Sequence, residues 1–239
     1  PGLTSDDGLV FQALKKISFT VQPGETIAIL GNTGSGKSTI LELIARLYDT
    51  NDNTIFIDNI PIKEVYLQNL RNSIGFVPQD AFLFSESIND NIKFGKQDAT
   101  EQQVIQAANL AAVHKNIMGF AQGYQTILGE RGITLSGGQK QRVSIARALI
   151  KDPVILLFDD CLSAVDTETE EEILCNLERI SQNKTTIIVS HRVSSAKNAD
   201  KIIILDQGSI IQQGTHNELV NTPGYYKELY LKQRTEKEI

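Results

Sequence analysis

Thr26-Ile27-Ala28-Ile29-Leu30-Gly31-Asn32-Thr33-Gly34-Ser35-Gly36-Lys37-Ser38-Thr39-Ile40-Leu41 decides how the chain folds. Its first five residues are apolar or β-branched and predict a buried strand. Gly31–Lys37 is rich in glycine. From Ser38 to Tyr48 apolar residues recur at helical spacing, at Ile40, Leu41, Ile44 and Leu47, which predicts a helix. Strand, glycine loop and helix therefore follow one another directly.

The loop fits the pattern G-x-x-x-x-G-K-[ST] with one additional glycine. Each part has a physical reason. The glycines let the backbone N–H groups of Gly31, Asn32, Thr33, Gly34, Ser35 and Gly36 turn inward around phosphate oxygens. The helix beginning near Lys37 points the positive end of its dipole at the same place. Lys37 would bridge the β and γ phosphates as a point charge, Ser38 would offer its hydroxyl to Mg²⁺, and Thr39 completes the run. The competing reading is a flexible turn with a surface lysine, but the flanking strand and helix are the context the motif requires. Binding of a nucleoside triphosphate is expected.

Outward from this loop the pattern extends. Phe19–Val21, Thr54–Asp58 and Ile74–Val77 read as short strands, the last stopped by Pro78. Val154–Phe158, Thr185–Ser190 and Lys201–Leu205 are nearly continuous apolar runs, the mark of strands covered on both faces of a parallel sheet. Between the first two of these runs, Thr167-Glu168-Thr169-Glu170 reads as a capping box opening a helix over Glu168–Ile180. From Ala81 to about Ile150 the character changes: Glu101–Val113 and Gln139–Ile150 read as helices with no convincing strand between them. The expected architecture is thus α/β: a P-loop NTPase core (1–80 and 151–239) with a mostly parallel sheet and an antiparallel β edge, interrupted by a helical subdomain (81–150). Asn53 and Asn59 stand at turn positions that require a left-handed backbone.

Composition limits the function classes. The 239 residues carry 23 basic and 29 acidic side chains, a net charge of −6, which argues against a nucleic-acid-binding domain. Two cysteines, Cys161 and Cys175, make no disulfide framework, so a reducing compartment is expected. Both read as small buried apolar residues. No apolar run approaches the roughly 18 residues that span a bilayer, and Pro1–Asp7 lacks the features of a secretory signal, so a soluble chain is expected. His114 and His216 read as surface residues, and Glu168–Glu172 as a solvated helix face complementing the dipole.

A second motif stands before the helix Lys140–Ile150. In Leu135-Ser136-Gly137-Gly138-Gln139 a serine hydroxyl and two glycine amides meet a helix N-terminus, which makes a second anion cradle. Taken alone, such a run reads as a helix-capping turn. The phosphate loop, this run and Val154–Asp160 together resemble the nucleotide-binding domain of an ABC transporter, over nearly the whole chain. Gln79 resembles the Q-loop, Ser163-Ala164-Val165-Asp166 the D-loop, and Ser190-His191-Arg192 the switch histidine. Thr126–Gly132, with Glu130 and Arg131, resembles the X-loop of exporters with fused membrane and nucleotide-binding domains.

The resemblance implies ATP and Mg²⁺ as ligands and a head-to-tail dimer with a second nucleotide-binding domain. In that dimer Ser136, Gly137, Gly138 and Gln139 complete the partner's site. It implies Ser38, Gln79 and Asp159 around Mg²⁺, Asp160 at the water-polarising position and His191 on the γ-phosphate, with Lys37 and the loop amides holding the phosphates. It further implies a membrane-spanning domain of the same transporter, sensed through Gln79 and Phe82–Ile92, and a place on the cytoplasmic face of a membrane.

The sequence departs from the pattern in two places. Glutamate is usual where Asp160 stands, and aspartate is shorter by one methylene, or roughly 1–1.5 Å of reach. A shift of about 1 Å can cost around 100-fold where catalysis depends on positioning. With Cys161-Leu162 beside it, Asp160 resembles the weak-site half of a heterodimeric exporter, although His191 is retained. The second departure is the adenine-stacking aromatic, which the family carries on a strand expected to precede Pro1. Gly2–Phe11 reads as a loop, with Phe11 the nearest aromatic. The alternative function is a regulatory half that binds ATP, scarcely hydrolyses it and completes a partner's site.

Overall fold

A computed structural model describes residues 2–4, 10–129, 134–181 and 184–237. The chain forms two compact units, Pro1–Ile74 with Thr185–Ile239, and Gly75–Lys184.

The first unit is built on the strand that opens the phosphate loop. Strands β1 (Gly2–Thr4) and β2 (Val10–Gln12) pair as an antiparallel hairpin. This corrects the reading of Gly2–Phe11 as a loop. Phe19–Val21 forms no strand. Strand β3 (Thr26–Gly31) runs into helix α1 (Lys37–Ile44), which ends four residues before the Tyr48 that its apolar spacing predicts. A two-residue pair, β4 (Phe56–Ile57) and β5 (Ile60–Pro61), replaces the longer strand expected over Thr54–Asp58. Asn53 and Asn59 do adopt positive φ, 52° and 64°, and Asp58 between them joins at 49°. Helix α2 (Leu67–Ser73) leads to β6 (Ile74–Val77) at the boundary of the units.

After the second unit the chain adds β8 (Thr185–Val189), β9 (Lys201–Asp206), β10 (Ser209–Gly214), α8 (His216–Asn221) and α9 (Tyr225–Lys237). Strand β3 lies between β8 and β9, parallel to both, and β10 closes that edge antiparallel to β9. The apolar runs act as predicted: Ile27–Leu30 and Ile202–Leu205 are fully buried. Each isoleucine or leucine among them contributes about 1.5–3 kcal/mol by leaving water. Ala28, Leu30, Ile202 and Ile204 pack with Leu219 and Tyr226, so α8 and α9 cover one face of the sheet.

The second unit holds α3 (Ile88–Lys93), α4 (Glu101–Leu110), α5 (His114–Met118), a 3₁₀ turn (Gly123–Gln125), α6 (Gly137–Leu149), β7 (Ile155–Asp159) and α7 (Thr167–Ser181). Strands β6 and β7 are neighbours. The expected helix Glu101–Val113 ends at Leu110, and a second short helix starts at His114. Between Ala81 and Ile150 the described residues hold a single isolated bridge, Ser87 with Ile127, and no strand.

Helix α7 begins one residue earlier than the capping box requires. The Asp166 carboxylate accepts from the Thr169 N–H at 3.0 Å, so Asp166 is the cap, and the Thr167 side chain lies outside the described residues. That hydrogen bond holds the Asp166 carboxyl below its usual range. Glu170 is 1 % exposed, which corrects the reading of Glu168–Glu172 as a wholly solvated face. It shares a face with Ile173 and Leu177, three and seven residues on, whereas Cys175 falls on the opposite side and is exposed. Cys161 is buried as expected, and burial, then the neighbouring Asp160 charge, pushes its thiol far up.

Candidate functional site: a phosphate loop and two carboxylate-bearing edges

The loop Gly31–Lys37 leaves the carboxyl end of β3 and is braced from outside. Gly208 N–H donates to the Ser35 carbonyl at 3.1 Å, and Ser35 N–H to the Asn32 carbonyl at 3.2 Å. Gly36 has φ 100° and stands as the N-cap of α1 with no side-chain cap. A Cβ there would come within 2.7 Å of Leu14 Cδ2 and 2.9 Å of the Ala13 carbonyl. Glycine is required both by that conformation and by that approach. As the N-cap, Gly36 brings no side-chain oxygen to the first turn of α1.

Two side chains complete this cradle. Lys37 is 6 % exposed and folds back, its Nζ donating to the carbonyls of Gly31 at 2.9 Å and Asn32 at 2.8 Å. Ser35 is 3 % exposed, and its hydroxyl has no hydrogen-bond partner among the described residues. A buried hydroxyl without a partner costs about 1–3 kcal/mol, so an incoming anion oxygen would find a donor already desolvated for it. Ser38 and Thr39 are half-buried, and Asn32, Thr33 and Gly34 are exposed.

His191 follows β8 and is half-buried. Ser190 N–H donates to the Ile29 carbonyl at 3.2 Å, which sets this turn beside the end of β3. The structure thus brings the His191 turn and the phosphate loop to one edge of the first unit's sheet, where ligands bind in open α/β sheets. Three residues that sequence reasoning missed also touch this edge. Tyr225, at the start of α9, donates to Asn32 Oδ1 at 3.2 Å, Asp206 accepts from Asn32 Nδ2 at 3.5 Å, and Gln233 contacts the His191 turn. Tyr225 and Asp206 lie 193 and 174 positions from Asn32, beyond the reach of any local pattern.

In the second unit Asp159 ends β7 and Asp160 follows, 5 % and 8 % exposed. Asp160 has φ 42°, a conformation non-glycine residues rarely adopt, and its carbonyl accepts from the Ser163 hydroxyl at 2.9 Å. Gln79 is exposed just after β6, and its carbonyl accepts from Gln141 Nε2 of α6 at 2.9 Å.

Ser136, which is exposed, caps α6. Its Oγ accepts from the Gln139 N–H at 3.3 Å, and the Gln139 side chain accepts from the Ser136 N–H at 3.0 Å. The capping turn and the anion cradle are compatible, because accepting one bond leaves the hydroxyl its proton to donate. Gly138 packs on the Ala164 carbonyl, where a Cβ would approach to 2.8 Å. Arg142, one turn on, donates to the carbonyl of Ala112 at 2.6 Å and to Asn116 Oδ1 at 3.0 Å. Glu130 and Arg131 lie outside the described residues, as does the side chain of Phe11.

His114 and His216 are half-buried, which corrects their reading as surface residues. Each Nδ1 meets a tyrosine hydroxyl, that of Tyr124 at 2.8 Å and that of Tyr226 at 2.7 Å. Among the described residues no group of three or more His, Cys, Asp or Glu is arranged to hold a metal ion, and no helix is long and apolar enough to cross a membrane.

A family profile described as ABC transporter matches residues 14–163. The chain belongs to the ABC transporter family. This ABC domain is 48 % identical over 220 residues to an uncharacterized ABC transporter ATP-binding protein, YfiB, of Bacillus subtilis, covering 92 % of this chain and 38 % of that one. It is 46 % identical over 234 residues to a probable multidrug resistance ABC transporter ATP-binding/permease protein, YheI, of the same organism, covering 98 % of this chain and 39 % of the relative. Among solved structures it resembles that of a bacterial Atm1-family ABC exporter with ATP bound, with a TM-score of 0.88 and 44 % identity over 92 % of this chain and 39 % of that one. The chain therefore spans about two-fifths of the length of these relatives.

Proposed function

We propose that this ABC domain binds ATP with Mg²⁺ and hydrolyses it slowly, as the nucleotide-binding part of an exporter. The observation that carries this reading is the phosphate loop: a helix N-terminus with no side-chain cap, a buried lysine folded over the loop, and a buried serine hydroxyl with no partner among the described residues. Lys37 would exchange its two backbone carbonyls for phosphate oxygens. Ser38, Gln79 and Asp159 offer the hard oxygen ligands that suit Mg²⁺. When bound, Mg²⁺ offsets charge on the phosphate oxygens. Asp160 would orient the attacking water, and His191 would contact the γ-phosphoryl group as water displaces ADP from it.

Asp160 supports attenuated turnover. Its carboxylate is short for the role, and the positive φ and the Ser163 bond of its backbone restrain any compensating shift. The domain would act in a head-to-tail dimer with a second nucleotide-binding domain, lending Ser136, Gly137, Gly138 and Gln139 to the partner's ATP. The dimer would serve a membrane-spanning domain at the cytoplasmic face, with no nucleic acid as partner. The names of the relatives, ATP-binding/permease and exporter, support that setting.

The test is steady-state Mg-ATPase activity of wild type beside Asp160→Glu, at protein concentrations high enough to populate dimers. A rise of about tenfold or more in the variant is expected. If wild type turns over near about one per second and glutamate adds nothing, Asp160 suffices and the attenuated-site reading is wrong.

A further inference from the structure

The turn that carries His191 is held from outside by helix α9. The Gln233 carboxamide spans it: Nε2 donates to the His191 carbonyl at 2.8 Å, and Oε1 accepts from the Val193 N–H at 2.8 Å. Within the turn, the Ser190 hydroxyl accepts from the Arg192 N–H at 3.0 Å. The bond from Ser190 N–H to the Ile29 carbonyl is the last to β3, and beyond it Gln233 satisfies the His191 carbonyl and the Val193 N–H as a sheet ladder would. A side-chain amide suits this task. It offers a donor and an acceptor in one plane, whereas a carboxylate lacks the donor and an aliphatic side chain lacks both. Helix α9 is itself firmly seated, with Tyr226 fully buried and bonded to His216.

We propose that Gln233 is a positioning residue for His191, setting the backbone from which the imidazole reaches toward the γ-phosphate. The functional consequence rests on the reading of His191 given above; the placement of the ring does not. Because Gln233 lies on α9, the geometry of the His191 turn depends on a helix that no motif of the site includes.

The chain has three histidines, which makes imidazole NMR signals a direct readout once each is assigned by single substitution. Gln233→Met keeps the length of the side chain and removes both hydrogen bonds. It is expected to shift the ring signals of His191 while those of His114 and His216 stay in place. His216 is the internal control, because its contacts with Tyr226 and Tyr230 report whether α9 is still seated. Gln233→Glu, which keeps the acceptor for Val193 but loses the donor, is the second variant and is expected to shift His191 in the same way. In turnover, Gln233→Met should lower kcat about tenfold with KM for ATP changed by less than about twofold, and should have no further effect in a His191→Ala background.

Unmoved His191 signals in both variants overturn the proposal. So does a joint shift of His191 and His216, which would make Gln233 a seat for the helix only, and so does an equal fall in kcat with and without His191. If His191→Ala by itself leaves turnover intact, the γ-phosphate reading falls, and the ring signals still decide whether Gln233 places His191.

Discussion

Arg147 holds Asn91 at two points, its Nε donating to the backbone carbonyl and its Nη2 to the side-chain carbonyl, each at 2.8 Å. Nη1 donates to the Phe82 carbonyl, also at 2.8 Å, and the guanidinium lies 5.5 Å from the ring centre of Phe84 and 5.7 Å from that of Phe94. Asn91 is fully buried and in turn donates to the carbonyls of Phe84 and Ser87 at 3.0 Å. One cation thus organises α3, the loop before it and α6 in the second unit. Burial lowers the Arg147 pKa without threatening its charge.

Arg147→Lys should destabilise the domain by about 2 kcal/mol or more, because an ammonium cannot reproduce a planar three-point fork onto the Phe82 carbonyl and the two carbonyls of Asn91. Urea denaturation checks this through the midpoint at constant m-value. A loss under about 0.5 kcal/mol would place Arg147 among ordinary surface charges.

His216 should make stability fall on acidification. Burial, and then the Lys197 charge, lowers its pKa below the usual 6.5, so the unfolded chain takes up a proton more readily than the folded one. His216 Nδ1 and the Tyr226 hydroxyl lie 2.7 Å apart, and burial pushes the tyrosine pKa up to about 12, so the tyrosine keeps its proton. The contribution is complete above the unfolded pKa and is lost as pH falls from 6.5 through the lower folded value. Urea midpoints measured from about pH 7.5 to 5.5 should show this decline, and His216→Gln should flatten it. An identical slope in the variant would assign the decline to other groups.

Neighbouring glycines of the α6 turn should respond differently to alanine. At Gly137 a Cβ would meet Ala164 Cβ at 3.6 Å, an ordinary contact, whereas at Gly138 it would meet the Ala164 carbonyl at 2.8 Å. Gly137→Ala should leave thermal stability unchanged or slightly raised, since alanine favours the helix. Gly138→Ala should lower stability by about 1–3 kcal/mol, the usual cost of overpacking. Equal melting temperatures would mean that Ala164 withdraws without cost.

Much of the sheet and the phosphate loop is legible in sequence because their signals are local. β6 spans Ile74–Val77 as the apolar run before Pro78 indicates, and α1 begins at Lys37, directly after the last glycine of the loop. Failures occur where two local readings compete or where orientation matters. Asp166 and Thr167 are both good helix caps, and the chain uses Asp166. Cys175 and Glu170 exchange their expected environments because the buried face of α7 is set by Ile173 and Leu177, not by residue type. A chain segment with glycine, serine and two aspartates at Gly2–Asp7 looks like a loop, yet Gly2–Thr4 pairs with Val10–Gln12.

By itself the sequence determined the α/β alternation, the phosphate loop, the paired carboxylates at the end of β7 and the family. Each of these is a contiguous run whose spacing matches a helix turn, a strand or a tight loop. Only the tertiary structure decided which side chains hold those runs in place. Gln233 meets His191 across 42 positions, Arg147 meets Asn91 across 56, and Tyr225 meets Asn32 across 193. A hydrogen bond between such distant residues depends on how the elements that carry them are packed and turned. Periodicity states which face of an element is apolar, but not what that face is laid against.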